Sequence, residues 1–278
     1  MHGLFRVRGR GGVRLLRLQG ADEVSLWTVF GSEFIGTCLM IAVAVMVCGS
    51  RALPRTGAFG GDWINAALGW GLAVYVGVYV GWRSGAHLNP IITLARVLRH
   101  QFDPSVTMNG VALADGGVPV GAAAVVVYIA AQFAGAFAGA CLGWAAIRKH
   151  FDEPAPADAK LTIFCTKPPI KSPLWNMITE IIATFIQVCW VFVNGGTPTA
   201  VGPLGIALVI TVLVMGLGGV SGAAMNPARD FSPRLAHFLL PIRGKGDSDW
   251  GYAWVPFAGP LIGGALGVLV PTALGLIA

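Results

Sequence analysis

The sequence predicts an all-α membrane protein in which six spanning helices and two half-length helices form an inverted repeat. Three observations carry this. Of 278 residues, 55% are hydrophobic and only 12% charged, with a mean hydropathy of +0.70, well outside soluble globular composition. Apolar stretches long enough to cross ~30 Å of hydrocarbon, which takes about 20 residues, recur along the chain. A short motif, Ser84-Gly85-Ala86-His87-Leu88-Asn89-Pro90, returns in the second half as Ser221-Gly222-Ala223-Ala224-Met225-Asn226-Pro227.

Residues 1–24 hold Arg6, Arg8, Arg10, Arg14 and Arg17 and no apolar core before Ala21, so they read as a basic, poorly ordered cytoplasmic tail rather than a secretory signal. This tail accounts for much of the net charge of +6. Since no basic stretch interleaves with aromatic residues, a nucleic-acid partner is excluded. Residues 25–278 form a single domain. Its spans are expected at Leu26–Cys48, Ile64–Gly81, Val120–Ala146, Leu174–Val193, Pro203–Val220 and Trp254–Leu276. Small residues within them, among 39 Gly in all, read as sites of close helix approach. Between the second and third spans lies Pro90–His100, and between the fifth and sixth lies Pro227–Leu240. Each copy of the motif starts one of these helices, because Asn caps a helix and Pro suits its first position. Both are too short to cross, so each enters and leaves on one side.

The order span, span, half-helix, span occurs twice, over residues 25–146 and 174–278, joined by a polar connection over 147–173. An odd number of spans per unit turns the second copy upside down, and the two half-helices then meet head to head near the midplane. Glu33 and Glu180 open the first span of each half, and Gln132-Phe133-Ala134-Gly135 parallels Pro256-Phe257-Ala258-Gly259. Six spans put both termini on one side, which Arg96 and Arg99 and the basic tail assign to the cytoplasm. Of the five Cys, Cys38, Cys48, Cys141 and Cys189 lie in or beside apolar runs without metal-ligand spacing, so they read as packing residues.

Backbone that turns around at membrane depth must be buried in protein or line a water-filled cavity, so the repeated motif marks a site. Two helix N-termini aimed at one spot concentrate about half an elementary charge each and repel cations. Asn89 and Asn226 use their side-chain oxygens for capping, which leaves each amide N–H2 aimed into the lumen as a donor. A water or hydroxyl oxygen accepting from both interrupts the chain along which protons hop. A single Asn-Pro would be only a helix start; two at matching places favour the site. Arg229, on the first turn of the second half-helix, reads as a fixed positive gate whose N–H groups bind solute oxygens, against the alternative of an Arg snorkelling to the membrane edge. Asp230 can pair with it or cap a nearby turn. Glu33 and Glu180 are expected to hold the re-entrant loops by accepting from their backbone N–H groups. The competing reading is a proton relay, which would make a coupled carrier. His87 is either a pH-sensitive gate or, more commonly for a lone loop His, a structural hydrogen-bonder. Catalytic triad, Walker loop and metal spacing are all absent, which argues against an enzyme.

These residues resemble the major intrinsic protein family, the aquaporins and glycerol facilitators, over nearly the whole chain from about Ser25. The family carries Asn-Pro-Ala in both half-helices. Here the second is intact as Asn226-Pro227-Ala228, while the first is Asn89-Pro90-Ile91, whose larger Ile91 is expected to narrow or reshape the point where the half-helices touch. Asp230, Arg234 and Pro256 match the aquaglyceroporin branch. The family's outer constriction falls by matching on Trp70, Val214, Ala223 and Arg229. Trp70 stands one residue closer to Asn89 than the family spacing, so Gly69 is the alternative, as Met215 is to Val214. In glycerol facilitators a second aromatic commonly stands where this chain has Ala223.

The resemblance implies an aquaporin-like right-handed bundle, a homotetramer with one pore per subunit, and no cofactor or metal. The expected function is passive passage of small uncharged solutes, foremost glycerol and water, with protons and ions excluded. A water-selective aquaporin stays open, as do a urea or metalloid-hydroxide channel, a proton-coupled solute carrier and a purely structural membrane protein. The short tails suggest a bacterial inner (plasma) membrane.

Overall fold

The computed structural model describes residues 24–194 and 201–277, and among them there is no strand. The basic tail expected over residues 1–24 lies outside the described residues, apart from Val24. The six expected spans are helices: α1 (Leu26–Ala52), α2 (Trp63–Val80), α4 (Ala122–Ala146), α6 (Pro173–Val193), α7 (Pro203–Leu213) and α10 (Val255–Ala273). The fifth span continues from α7 through a π-helical turn, Val214–Gly218, into a closing turn, α8 (Gly219–Ser221). The half-helices are α3 (Pro90–His100) and α9 (Pro227–Leu239). At 1.5 Å per residue each rises roughly 16–20 Å, short of the ~30 Å apolar layer.

Local chemistry sets the helix starts. Ser25 Oγ accepts from Thr28 N at 3.2 Å and Asp62 Oδ1 from Ile64 N at 2.9 Å, each satisfying an N–H that the first turn leaves unpaired. Pro173 and Pro203 open α6 and α7 at positions where a missing N–H costs nothing.

The two halves make equivalent contacts. The first span packs on the last in each, α1 on α4 and α6 on α10, and each half-helix packs on the last span of the other half, α3 on α10 and α9 on α4. Glycines every fourth residue make the span pairs close. A Cβ on Gly139 would stand 2.3 Å from Cys38 O, and one on Gly263 would stand 2.4 Å from Ile181 O. Backbone therefore touches backbone, the packing available to helices that lipid does not drive together.

Residues 147–173 depart from the plain polar connection expected. They hold a 3₁₀ turn, Arg148–Asp152, and a short helix, α5 (Ala157–Thr162), and they bury Phe151, Leu161, Ile163, Phe164 and Cys165. A six-residue helix with Pro154 and Pro156 before it carries too little periodicity to be read from sequence. Lys160 within it is only 2% exposed; its Nζ donates to Phe151 O at 3.1 Å and Arg243 O at 2.5 Å. Burial, then the neighbouring Arg243 charge, hold its pKa below the ordinary lysine value.

Candidate functional site

The two motif loops repeat one backbone conformation. Gly85, Ala86 and Leu88 have φ of +84°, +51° and +53°, and Gly222, Ala223 and Met225 have +99°, +44° and +52°. Non-glycine residues in this left-handed region cost about 1 kcal/mol or more each, so something must hold them there. Glu33 does so in the first loop. Its Oε1 accepts from Ser84 Oγ (2.5 Å) and His87 N (2.8 Å), and its Oε2 from Leu88 N (2.7 Å) and Gln132 Nε2 (2.8 Å). Glu180 repeats the clamp, accepting from Ser221 Oγ (2.7 Å), Ala224 N (2.9 Å) and Met225 N (3.0 Å). It lacks a counterpart of Gln132 because Pro256 stands at that place. Tyr128 and Tyr252 each donate from the hydroxyl to the carbonyl of the loop serine, Ser84 O at 2.5 Å and Ser221 O at 3.4 Å. Sequence reading missed this pair, although each tyrosine stands four residues before the matched Gln132 or Pro256.

Asn89 and Asn226 cap their half-helices, with Asn89 Oδ1 accepting from Ile91 N and Asn226 Oδ1 from Ala228 N and Arg229 N. Their amides also cross the midplane. Asn89 Nδ2 donates to Met225 O and Asn226 Nδ2 to Leu88 O, both at 2.8 Å. The expectation that both amide hydrogens face the lumen is therefore corrected: one of each pair ties the opposite loop and one is left for a passing oxygen. This exchange ties the two half-helix starts to each other's loops, with Pro90 and Pro227 buried.

Two cavities meet at a layer beside this centre. One, of about 230 Å³, is lined by Asn89, Asn226, Leu88, Met225 and Ala223 and by an apolar wall that includes Met40, Val74 and Ile206. The other, of about 180 Å³, is lined by Cys48, Trp63, Cys165 and Lys167 among others. Trp70, Val214 and Arg229 belong to the walls of both. The two alternatives considered for the constriction face elsewhere. A Cβ on Gly69 would strike Val47 Cγ1 at 2.3 Å, and Met215 is 47% exposed on the outside of the bundle. Val214 begins the π-helical turn, and its carbonyl accepts from Trp63 Nε1 at 2.9 Å; such turns commonly occur at functional positions. Cys48 was expected only to pack, yet it lines the second cavity.

Arg229 is buried, with its guanidinium 3.9 Å from the centroid of the Trp70 ring, and Nη1 donates to Phe164 O at 3.2 Å. Phe164 lies in the 147–173 connection, which thereby becomes part of the site. Asp230 pairs with Arg234 rather than with Arg229. Arg234 Nε and Nη2 donate to Asp230 Oδ1 at 2.9 and 2.7 Å. The other oxygen, Oδ2, accepts from Thr166 N and Oγ1 at 2.7 and 2.6 Å. Arg234 Nη2 closes the ring of contacts on Thr166 O at 2.9 Å. This latch holds the segment that carries Phe164.

Ile91, expected to narrow or reshape the point where the half-helices touch, has its side chain against the last span. It packs with Val188 and Val268 against Gly264, where a Cβ would lie 2.3 Å from Ile91 Cγ2. Ala228, its counterpart, is fully buried in the main core. His87 is fixed on both sides, its Nδ1 at 3.0 Å from Thr93 Oγ1 and its Nε2 at 2.7 Å from Met108 O. Donation to a carbonyl requires a proton on Nε2, and with both ring nitrogens engaged the ring is a structural link. Glu33 and Glu180 line neither cavity. Among the described residues no group of three or more His, Cys, Asp or Glu is placed to hold a metal ion.

Known proteins resemble the chain over most of its length. The family described as Major intrinsic protein matches residues 21–270. The chain is 42% identical over 245 residues to the glycerol uptake facilitator protein of Streptococcus pneumoniae (strain ATCC BAA-255 / R6), covering 87% of this chain and 97% of that one. It is 41% identical over 243 residues to the probable glycerol uptake facilitator protein of Thermotoga maritima, covering 86% and 96%. The X-ray structure of the aquaglyceroporin from Plasmodium falciparum shares the fold, with a TM-score of 0.71 and 24% identity over 91% of this chain and 100% of that chain. With its doubled half-helices, cross-tied asparagines and family-wide match, the chain belongs to the major intrinsic protein family.

Proposed function

We propose that the protein is a passive channel that conducts glycerol and water and excludes protons and ions. The observation that carries this reading is the wall common to both cavities, where Arg229 lies over Trp70. An aromatic ring offers contact to the carbon backbone of a polyol, and the guanidinium N–H groups not engaged by Phe164 offer donors to its hydroxyls. Beyond this layer the free hydrogens of Asn89 and Asn226 donate to the same oxygens and orient water against proton hopping. The fixed Arg229 charge and the two half-helix N-termini repel cations. In this reading Trp70, Val214, Ala223 and Arg229 form the selectivity filter, and Asn89, Pro90, Asn226 and Pro227 the central pore motif, with Glu33, Glu180, His87 and Asp230 as loop supports.

A proton-coupled carrier fits less well, because the carboxylates it would need are saturated by loop donors and lie behind the cavity walls. The relatives named glycerol uptake facilitator favour glycerol over a strictly water-selective channel. Four subunits per assembly and a bacterial plasma membrane with both termini cytoplasmic complete the reading. Its orientation rests on the basic residues Arg96 and Arg99 and those of the N-terminal segment, on the side assigned to the cytoplasm.

The test is stopped-flow light scattering on proteoliposomes with water, glycerol and urea gradients, alongside a pH-sensitive dye inside. Rapid glycerol entry without proton current is expected. Glycerol accumulation against a gradient, or no flux above empty liposomes, would overturn the reading.

A further inference from the structure

The Gln187 side chain is an amide set into an otherwise apolar stretch of the pore wall. It stands on α6 seven residues after Glu180, as Met40 stands on α1 seven residues after Glu33, so the two are counterparts under the pseudo-two-fold that relates the halves. Both line the 230 Å³ cavity. Where the first half presents a thioether, the second presents an amide at the same place in the repeat. Val188, next in sequence, packs with Ile91 at the start of α3, which sets Gln187 at the level of the Asn-Pro turns, in the cavity that the loops also line.

The amide is not used for packing. Gln187 is only 8% exposed, and its Oε1 has no hydrogen-bond partner among the described residues. A buried unpaired amide oxygen costs about 1–3 kcal/mol, and an apolar residue of the same length would avoid that cost. Trp190 and Val191, one turn further along α6, line the same cavity with apolar surface, and the next polar side chain on this face, Asn194, comes a turn beyond them, so at its own level the Gln187 amide is flanked along α6 by apolar residues.

We propose that Gln187 is a specificity-determining residue that hydrogen-bonds the hydroxyl groups of a polyol as it passes the asparagine pair, forming a second polar side opposite Asn89 and Asn226. A polyol in a single-file passage must shed water from hydroxyls on both sides of its carbon chain. Asn89, Asn226 and the loop carbonyls serve one side only, and an apolar opposite wall leaves the other hydroxyl unpaired. Gln187 supplies a donor or an acceptor there, since its amide can present either end. Water is small enough to turn its hydrogen bonds to the loop side and gains less. This inference rests on the polyol reading above and names one more residue that would enforce it.

The experiment compares Gln187→Leu and Gln187→Met with the unmodified protein in liposomes of phosphatidylethanolamine and phosphatidylglycerol, measuring glycerol and water permeability at equal incorporated protein. The ratio of glycerol to water permeability is expected to fall about fivefold in both variants, the change that loss of one ~1 kcal/mol hydrogen bond produces. Gln187→Met repeats the chemistry of Met40, so it reports on the amide even if the branched leucine packs badly. Met40→Gln should move the ratio in the opposite direction. An unchanged ratio in Gln187→Met, or glycerol and water permeability falling in proportion, would overturn the role of Gln187 while leaving the channel intact. Absence of glycerol flux in the unmodified protein would instead overturn the polyol reading, and this inference with it.

Discussion

The Arg229 guanidinium carbon lies 3.9 Å from the centroid of the Trp70 ring, face-on contact between the charge and the aromatic wall where the two cavities join. Such a desolvated cation–π pair contributes about 2 kcal/mol. Together with the bond to Phe164 O it holds a long side chain in one place, so that its remaining donors face the passage without the rotamer entropy a mobile Arg would lose on meeting solute. Each partner thus fixes the other's position, and a change in either alters both the size and the polarity of the opening.

Replacing Arg229 by Val removes the charge and widens the layer. The ratio of erythritol to glycerol permeability in proteoliposomes is expected to rise roughly fivefold, corresponding to ~1 kcal/mol of lost discrimination. A ratio equal to that of the unmodified protein would remove Arg229 from the filter.

The latch of Asp230, Arg234 and Thr166 gives a second prediction. Arg234→Met leaves the Asp230 carboxylate buried without its charge partner, and breaking such a pair typically costs about 3–5 kcal/mol. Asp230→Asn combined with Arg234→Met removes both charges, so the double variant is expected to melt at a higher temperature than Arg234→Met alone in detergent. If the single variant is at least as stable as the double, the pair does not hold the 147–173 segment.

Much of this arrangement is legible in the sequence because it rests on side chains with singular chemistry at repeated spacing. Asn89-Pro90 and Asn226-Pro227 announce two helix starts, and Glu33 and Glu180 announce two buried acceptors that need donors nearby. Phe164 is not legible, because it acts through a backbone carbonyl that every residue possesses. Thr166 is hidden for a related reason: its role is fixed by where the chain returns, not by a local pattern. The packing of Ile91 is not legible either, because the motif implies only contact at the midplane, whereas the helix phase also turns its third position toward Gly264 on α10. The sequence reading offers Asp230 a pair with Arg229 or a turn to cap, and its partner is instead Arg234. The i,i+4 spacing on a helix, which brings Arg234 over Asp230, decides it.

The two loop clamps differ by one donor, and this sets an order of stability. Glu33→Gln and Glu180→Gln each turn an N–H2 toward backbone N–H groups that need an acceptor, so each is expected to destabilise by roughly 2–3 kcal/mol or more. Glu33 also receives Gln132 Nε2, so Glu33→Gln should melt lower in detergent than Glu180→Gln. The reverse order would show that the first clamp does not depend on Gln132.

Ile91 and Gly264 form a knob and a hole, and their coupling can be measured. A Cβ at Gly264 would stand 2.3 Å from Ile91 Cγ2, a separation no pair of carbon atoms tolerates, and the obstacle is the branched methyl of a buried residue with Val188 and Val268 around it. Overpacking of this kind costs about 1–3 kcal/mol. Gly264→Ala should therefore lower the melting temperature, and Ile91→Ala should lower it through the cavity left behind. The double variant should be more stable than the sum of the two losses implies, because the new methyl partly fills the space the isoleucine vacates, with a coupling of about 1 kcal/mol in the double-mutant cycle. Glycerol permeability of the double variant should stay close to that of the unmodified protein, since Ile91 faces α10 and not the lumen. Additive losses would mean that α3 shifts to relieve the clash. A large change in permeability would put Ile91 back at the midplane contact.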